Sequence, residues 1–413
     1  LMSEQVIEKK MTFWQKLSYA MANFGGNIGY MLVTSYFLYY CTDSLGLSAA
    51  VIGTLIAISK VLDGITDVIM GHIINITHSK LGKARFWIFT SAFPFALLTF
   101  LVFYMPAFVH GTGSYVYLFI VYTLESAVAY TMMTIAWTTL LAYSTTNAKD
   151  RYSMMTFSSV ISILPALILA FLTTTMVEAF GGGQRGWAIT AGLCSVVSFV
   201  TILWTGLVIK ELPQDVLNEG KALDRNLGFG KSVKILLRNK YFWLILANYL
   251  VIYCYSGIQG AVGIYYCDYI LNNPNAFGFV YVAMYLPLVA LIEFVPAIVN
   301  KFGARKTNVY GALISIAAGL IVFINTRSMV VVFISLLIGT IGMLPAYVTI
   351  NPLIAESSEY TKRHQRADIT PMLYSCSSVG IKVGAGIGTA LTGFILSATG
   401  YDGMAVEQTA SAL

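Results

Sequence analysis

Long apolar stretches, each close to the thickness of a membrane, are the feature that most limits what this chain can fold into. A helix needs about 20 apolar residues to cross about 30 Å of hydrocarbon. We predict eleven spans, at residues 13–41, 49–76, 86–108, 114–143, 154–180, 186–209, 241–268, 274–300, 306–326, 329–354 and 370–399. Only 11% of the 413 residues are charged, against about 25% in soluble domains. The sequence therefore predicts an all-α membrane protein.

The distribution of basic residues predicts the orientation of these spans. Short cytoplasmic loops retain Lys and Arg. If the N-terminus is cytoplasmic, most of the 25 basic residues fall in inner segments, and the outer loops hold only Arg185 and Arg327. This bias accounts for the net charge of +6, so the lipid bilayer is the expected partner and no nucleic acid is needed. The four histidines show no metal-ligand spacing, so no metal centre is predicted.

A polar connection divides the chain into two halves. We predict an N-terminal six-helix half at 1–210, a cytoplasmic linker at 211–240 and a C-terminal half at 241–413. Each half has a loop of glycine and basic residues after its second span, LGKARFW at 81–87 and FGARKTN at 302–308. This repeat is similar to the two pseudo-symmetric halves of the major facilitator superfamily, whose solute lies between them near the midplane. Because the sequence turns polar after the eleventh span, we expect the twelfth helix of such a bundle to be missing.

The stretch SKVLDGITDVIMGH at 59–72 places two carboxylates inside an apolar span. On a helix Asp63 and Asp67 lie about 40° apart, with Lys60 within about 60° of Asp63. One interpretation is that Lys60 neutralises one carboxylate and the group packs two helices together. The other is a coupling site, because Lys60 compensates a single charge and the second carboxylate needs a cation or a proton. Hydroxyls of Thr66 and Thr131 could complete an oxygen shell for Na⁺, and H⁺ is the open alternative.

The segment YFLYYCTDSLGLSAAVIGTLIAISKVLDGITDVIMGHIINITHSKLGKARFW, residues 36–87, resembles the glycoside, pentoside and hexuronide cation symporters. This family includes the melibiose and glucuronide carriers, and weaker similarity extends over nearly the whole chain. The resemblance implies secondary active transport by alternating access, in a monomer of the bacterial cytoplasmic membrane, with no cofactor besides the coupling ion. It places Asp63 and Asp67 on the family's cation-binding carboxylates and Thr131 on its accompanying hydroxyl. Thr66 stands where the melibiose carriers have Asn.

The same resemblance implies a set of sugar-binding residues. These are Asn27, Tyr130, Thr134, Trp137, Tyr347, Ser378 and Lys382. Asn27 and Thr134 replace acids of the melibiose carriers, and Ser159 stands where those carriers have Arg. We therefore expect a glucuronide or a pentoside rather than melibiose, and a neutral plant glycoside stays open. A non-sugar solute such as a lipid, carried on the same fold, is the alternative.

An enzyme would need a nucleophile with its base, or a cluster of histidines, in one cavity. Neither pattern is visible in the sequence, so we expect a transporter and not a membrane enzyme. Glu125 lies about 180° around a straight helix from Thr134, so we expect it to point away from the sugar, and we assign it no role. Glycines such as Gly384 and Gly388 are expected to permit close approach between helices.

Overall fold

The computed structural model describes residues 11–145, 147–212, 229–291, 294–365 and 370–401, and its regular elements in these ranges are all helical. The α-helices are α1 Phe13–Tyr39, α2 Ala49–Ile76, α3 Lys83–Val102, α4 Thr112–Thr123, α5 Thr131–Ser144, α6 Ala148–Ile161, α7 Leu164–Ala179, α8 Gly183–Val208, α9 Phe229–Arg238, α10 Lys240–Tyr265, α11 Phe277–Leu291, α12 Val295–Phe302, α13 Ala304–Ile321, α14 Met329–Gln365 and α15 Thr370–Ala398. Tighter or wider helical turns follow at Tyr40–Ser44, Leu124–Tyr130 and Tyr266–Ile270 (π) and at Pro274–Ala276 and Val322–Ile324 (3₁₀). The predicted all-α class is confirmed.

Nine stretches within the described ranges are long and apolar enough to cross a membrane. They are Ala49–Gly71, Lys83–Val102, Thr112–Leu141, Ser153–Ala179, Gly183–Val208, Lys240–Ile270, Ala304–Ile324, Met329–Ile350 and Val379–Ala398. Each overlaps one of the predicted spans. The total of eleven spans stays a prediction.

The chain divides into two compact units. The first comprises Leu1–Ala222 with Leu396–Val406, and the second comprises Leu223–Ile395 with Glu407–Leu413. Helices α1 to α8 belong to the first unit, and α9 to α14 with most of α15 belong to the second. Helix α9 forms inside the segment predicted as the linker. The predicted bounds of the two halves stay a prediction.

The first unit is built around α1, which packs along α6 and α8. Thr12 and Gln15 form a capping box that fixes the start of this helix, because each side chain accepts a hydrogen bond from the other residue's backbone N–H. Close contact with α8 is possible at Gly25, whose carbonyl oxygen accepts a 2.8 Å hydrogen bond from Ser198 Oγ. An added Cβ at Gly25 would lie 2.0 Å from Thr201 Oγ1, so only glycine permits this spacing.

Each of the two glycine-and-basic loops has a glycine with a positive φ directly before a helix. Gly82 precedes α3 with φ of 107°, and Gly303 precedes α13 with φ of 82°. These dihedrals lie in a region that favours glycine. In the first unit Glu211 accepts hydrogen bonds from the backbone N–H groups of Lys83 and Arg85, at 2.9 and 2.6 Å. A carboxylate at a helix N-terminus is favourable, and it ties the end of α8 to the start of α3.

The predicted fifth span is interrupted rather than continuous. Helix α6 ends at Ile161 and α7 begins at Leu164, with Pro165 in its first turn. Proline has no N–H to donate, and its ring clashes with the carbonyl four residues earlier. That position is occupied by Ile161, the last residue of α6, so the proline explains where the break falls.

The glycines of α15 contact α10 closely, as predicted. An ideal Cβ at Gly388 would lie 2.2 Å from the carbonyl oxygen of Cys254, and one at Gly384 would lie 2.8 Å from that of Leu250. Neither position has room for a side chain without moving backbone. These residues therefore bring two helices of the second unit together.

Candidate functional site

Three ionisable side chains of α2 line one buried face of that helix. Lys60, Asp63 and Asp67 follow at intervals of three and four residues, which places them one above another. Their exposed fractions are 2%, 0% and 9%. The structure therefore collects the charged groups predicted from the sequence into one buried stripe.

Thr131, the first residue of α5, contacts both carboxylates. Its Oγ1 lies 2.9 Å from Asp63 Oδ1 and 3.0 Å from Asp67 Oδ1. A hydroxyl has one hydrogen to donate, so it can serve only one of these oxygens at a time. Three oxygen atoms from two helices converge here, with Thr131 only 1% exposed.

Thr66, unlike Thr131, forms its hydrogen bond within α2 and not with a carboxylate. Its Oγ1 donates a 2.9 Å hydrogen bond to the backbone carbonyl of Asp63, within α2. The hydroxyl hydrogen is therefore used locally, and only the oxygen lone pairs could serve a cation. The described contacts bring together Asp63, Asp67 and Thr131 but do not place Thr66 in direct contact with the other three oxygens.

Lys60 lies between a carboxylate and two aromatic rings. Its Nζ is 3.6 Å from Asp63 Oδ2, 5.0 Å from the centroid of the Tyr30 ring and 5.7 Å from that of Tyr122. Among the described residues the ammonium has no hydrogen-bond partner. Aromatic faces attract an ammonium most strongly when it is desolvated. The rings therefore help to hold Lys60 within the unit without competing for the carboxylate.

A π-helical segment, Leu124–Tyr130, separates α4 from α5. Its i→i+5 pattern adds a residue to the turn, which brings Ser126 and Thr131 to the same side. Ser126 Oγ lies 3.4 Å from Ser59 Oγ of α2, while Thr131 contacts the two aspartates. The π segment thus directs a second polar group of this helix toward α2.

Glu125, in the π segment, is fully buried with 0% exposure. Neither of its carboxyl oxygens has a hydrogen-bond partner among the described residues, and the group interacts electrostatically with Lys60 and Asp63. The count of 100° per residue that placed Glu125 opposite Thr134 does not apply, because the chain from Glu125 to Tyr130 is π-helical. The sequence did contain a signal for this residue, because an ionisable side chain within a membrane span is energetically costly and usually marks a functional site.

Two of the predicted sugar-binding residues in the first unit carry partly exposed polar groups. Asn27 Nδ2 donates to Asn23 Oδ1 at 3.1 Å, and Asn23 Nδ2 donates to Ser158 Oγ at 2.9 Å. Thr134 Oγ1 donates to the backbone carbonyl of Tyr130 at 2.8 Å. The chain of amides fixes the orientation of Asn27, and the Thr134 oxygen keeps lone pairs that can accept a hydrogen bond.

Aromatic residues of the predicted set are packed against their neighbours. Tyr130 stacks on Tyr30 with ring centroids 4.5 Å apart. Trp137 stacks on Tyr19 at 4.8 Å and donates its indole N–H to the Tyr19 carbonyl oxygen at 3.0 Å. Trp137 is only 8% exposed, and its one hydrogen-bond donor is already used within the unit.

The second unit holds the other predicted sugar-binding residues. Tyr347 contacts Tyr253 edge-on, with ring centroids 6.1 Å apart, and Lys382 is partly buried on α15. The side chain of Ser378 lies outside the described part of the chain. A cavity of about 420 Å³ also lies within this unit, lined by Tyr241, Leu244, Ile245, Asn248, Leu353, Ser357 and Tyr360.

Comparison with known proteins gives matches along almost the whole chain. A family model described as MFS/sugar transport protein matches residues 18–413. The isoprimeverose transporter of Lactiplantibacillus pentosus is 30% identical over 408 residues, which cover 96% of this chain and 82% of that protein. The glucuronide carrier protein homolog of Escherichia coli K12 is 24% identical, covering 94% of this chain and 84% of that one. These matches confirm the resemblance inferred from residues 36–87.

Solved structures share the fold at low sequence identity. The nucleoside transporter NupG has a TM-score of 0.68 at 16% identity and covers 96% of this chain and 95% of its own. A bacterial homolog of the human lysosomal transporter Spinster has a TM-score of 0.70 at 14% identity, covering 94% of this chain and 84% of its own. At these identities the likeness establishes the architecture alone.

Proposed function

We propose, on the premise that the chain belongs to the MFS/sugar transport protein family, that it carries a glycoside or related sugar across a bacterial cytoplasmic membrane together with a monovalent cation. The chain is an integral membrane transporter of the symporter type and not an enzyme. The proposal adds to this the residues that bind the cation, the class of sugar and an N-terminus on the cytoplasmic side.

The approach of Thr131 Oγ1 to two carboxylates is the observation that carries the cation proposal. Two like charges beside one hydroxyl repel each other, and the single hydrogen of Thr131 cannot satisfy both. A cation among these oxygens would be held by Asp63, Asp67 and Thr131 together. The same binding would offset the repulsion between the carboxylates, so it would stabilise the contact between α2, which carries both carboxylates, and α5, which carries Thr131.

The two candidate cations, Na⁺ and H⁺, differ in how many oxygen ligands they need. Na⁺ is a hard ion that takes oxygen ligands, and the lone pairs of Thr66 could add to the three oxygens of the cluster. A proton needs only one of the two carboxylates. Both Na⁺ and H⁺ therefore fit the donor set, and an uptake assay that varies them separately decides between them.

The sugar proposal rests on the relatives and on the polar side chains of the predicted sugar-binding set. Relatives are named for isoprimeverose and for glucuronide, which supports a glycoside as substrate. Asn27 and Thr134 offer uncharged hydrogen-bonding groups in the first unit, whereas Lys382 offers a positive charge in the second. Amide and hydroxyl groups suit a neutral glycoside, and a lysine suits a glucuronide.

A thermal-stability screen of the purified chain against neutral glycosides, pentosides and glucuronides, with Na⁺ or with choline, tests the proposal. A ligand that binds only the folded state raises its stability, so we expect at least one carbohydrate to raise the melting temperature. Thr134→Val should reduce that rise. Thr138→Val should not, because Thr138 is an exposed hydroxyl one turn away with the same bond to its own helix backbone. Stabilisation by a lipid or peptide and by no carbohydrate would contradict the sugar assignment.

A further inference from the structure

Glu125 is a buried carboxyl group that the cation cluster does not use. It lies in the π segment, which packs against α2, and neither carboxyl oxygen has a hydrogen-bond partner among the described residues. A carboxylate in this position would have lost its hydration without gaining hydrogen bonds, which is among the most costly arrangements in a protein. Something other than hydrogen bonds must therefore compensate its charge.

Lys60 is the cation that faces Glu125, and it also faces Asp63. Its Nζ is at ion-pair distance from Asp63 Oδ2, at 3.6 Å, while it interacts with Glu125 electrostatically. One ammonium charge thus interacts with two carboxyl groups. While Lys60 pairs with Asp63, Glu125 has no direct counter-ion.

The other groups around Glu125 do not supply that charge. Tyr122 precedes it in α4 and interacts with it, and Tyr30 of α1 lies against the Lys60 ammonium. Helix α3 also packs against the π segment, and the sequence from Trp87 to Val102 contains no charged residue. No group of three or more His, Cys, Asp or Glu side chains among the described residues could hold a metal ion. A proton needs only the carboxyl group itself.

We propose that Glu125 is a proton-binding site beside the cation site, and that Lys60 links the two by pairing with either Asp63 or Glu125. This inference rests on the proposed function, because the link presupposes cation binding at Asp63 and Asp67. When the cation neutralises Asp63, Lys60 turns to Glu125 and the carboxyl proton leaves to water. One positive charge enters as another leaves, so cation binding adds no net charge to the buried cluster.

Infrared difference spectroscopy on the reconstituted chain tests the proton directly, since a protonated carboxyl group has its own C=O stretching band. In cation-free buffer we expect a band of this kind in the wild type that is lost in Glu125→Gln. It should persist in Glu178→Gln, which changes an exposed glutamate at the end of α7. If the amide variant is not recovered folded, Glu125→Asp keeps an acid and should shift the frequency of the band. A spectrum that neither variant changes would overturn the proposal.

The link through Lys60 is tested by neutralising Asp63. In Asp63→Asn the ammonium is free to pair with an ionised Glu125, so the Glu125 band should weaken at the same pH. Asp150→Asn is the matched control, because it removes another buried carboxylate, which pairs with Lys16 at 3.3 Å, and it should leave the band unchanged. An equally strong band in Asp63→Asn would overturn the link. These spectra need neither sugar nor transport, so a failure of coupled uptake with the band present would contradict the proposed function alone.

Discussion

Replacing Thr131 with valine should weaken cation coupling while leaving the fold intact. Valine has the shape of threonine without the hydroxyl, and Thr131 is 1% exposed, so no new cavity arises. The lost group contacts two carboxylate oxygens, at 2.9 and 3.0 Å. A hydrogen bond to a charged group contributes about 1.5–3 kcal/mol. Since about 1.4 kcal/mol is a tenfold change, the Na⁺ concentration for half-maximal uptake should rise about tenfold to about a hundredfold where Na⁺ is the coupling ion.

The assay is sugar uptake into proteoliposomes, measured against Na⁺ at fixed pH and then against pH without Na⁺. Thr131→Ser keeps the hydroxyl and should behave like the wild type. Thr138→Val removes an exposed hydroxyl from the same helix and should have no effect on the cation dependence. If Thr131→Val keeps the wild-type dependence on both ions, the hydroxyl is not a cation ligand and the reasoning from its contacts is refuted.

Three further predictions concern coupling, packing and topology. Asp63→Asn and Asp67→Asn should each abolish gradient-driven accumulation while allowing some exchange of sugar, and normal accumulation in both would contradict their role. Gly388→Ala should lower stability by about 1–3 kcal/mol through overpacking, seen as a lower melting temperature, because its Cβ would lie 2.2 Å from a backbone carbonyl. Gly260→Ala is the control, with nothing within 4 Å of its Cβ, and equal melting temperatures would refute the packing argument. A cysteine introduced at His110 should react with an impermeant reagent from outside only, and labelling from inside would reverse the topology.

The charged stripe of α2 could be predicted because a helix with 100° per residue leaves few choices for groups three and four positions apart. Lys60, Asp63 and Asp67 therefore fall on one face in the sequence and in the structure. The glycines of α15 were predictable for a similar reason, since small residues in a span permit close contact with another helix.

The surroundings of Glu125 could not be predicted by the same count. A π segment adds a residue to a turn, and nothing in LESAVAY marks where this occurs. The hydrogen-bond acceptors of Thr66 and Trp137 could not be predicted either. Each donates to a backbone carbonyl, that of Asp63 and that of Tyr19, and a residue type does not reveal which nearby acceptor its hydrogen will find.

We propose that sugar movement is coupled to a cation bound at Asp63 and Asp67. It is tested most directly by imposing a Na⁺ gradient or a proton gradient, each alone, on proteoliposomes containing the chain and a carbohydrate identified by the stability screen. We expect at least one inward gradient to drive the sugar above its external concentration, and Asp63→Asn and Asp67→Asn to abolish this accumulation. Equilibration to equal concentrations under both gradients, or accumulation that survives in both variants, would contradict it.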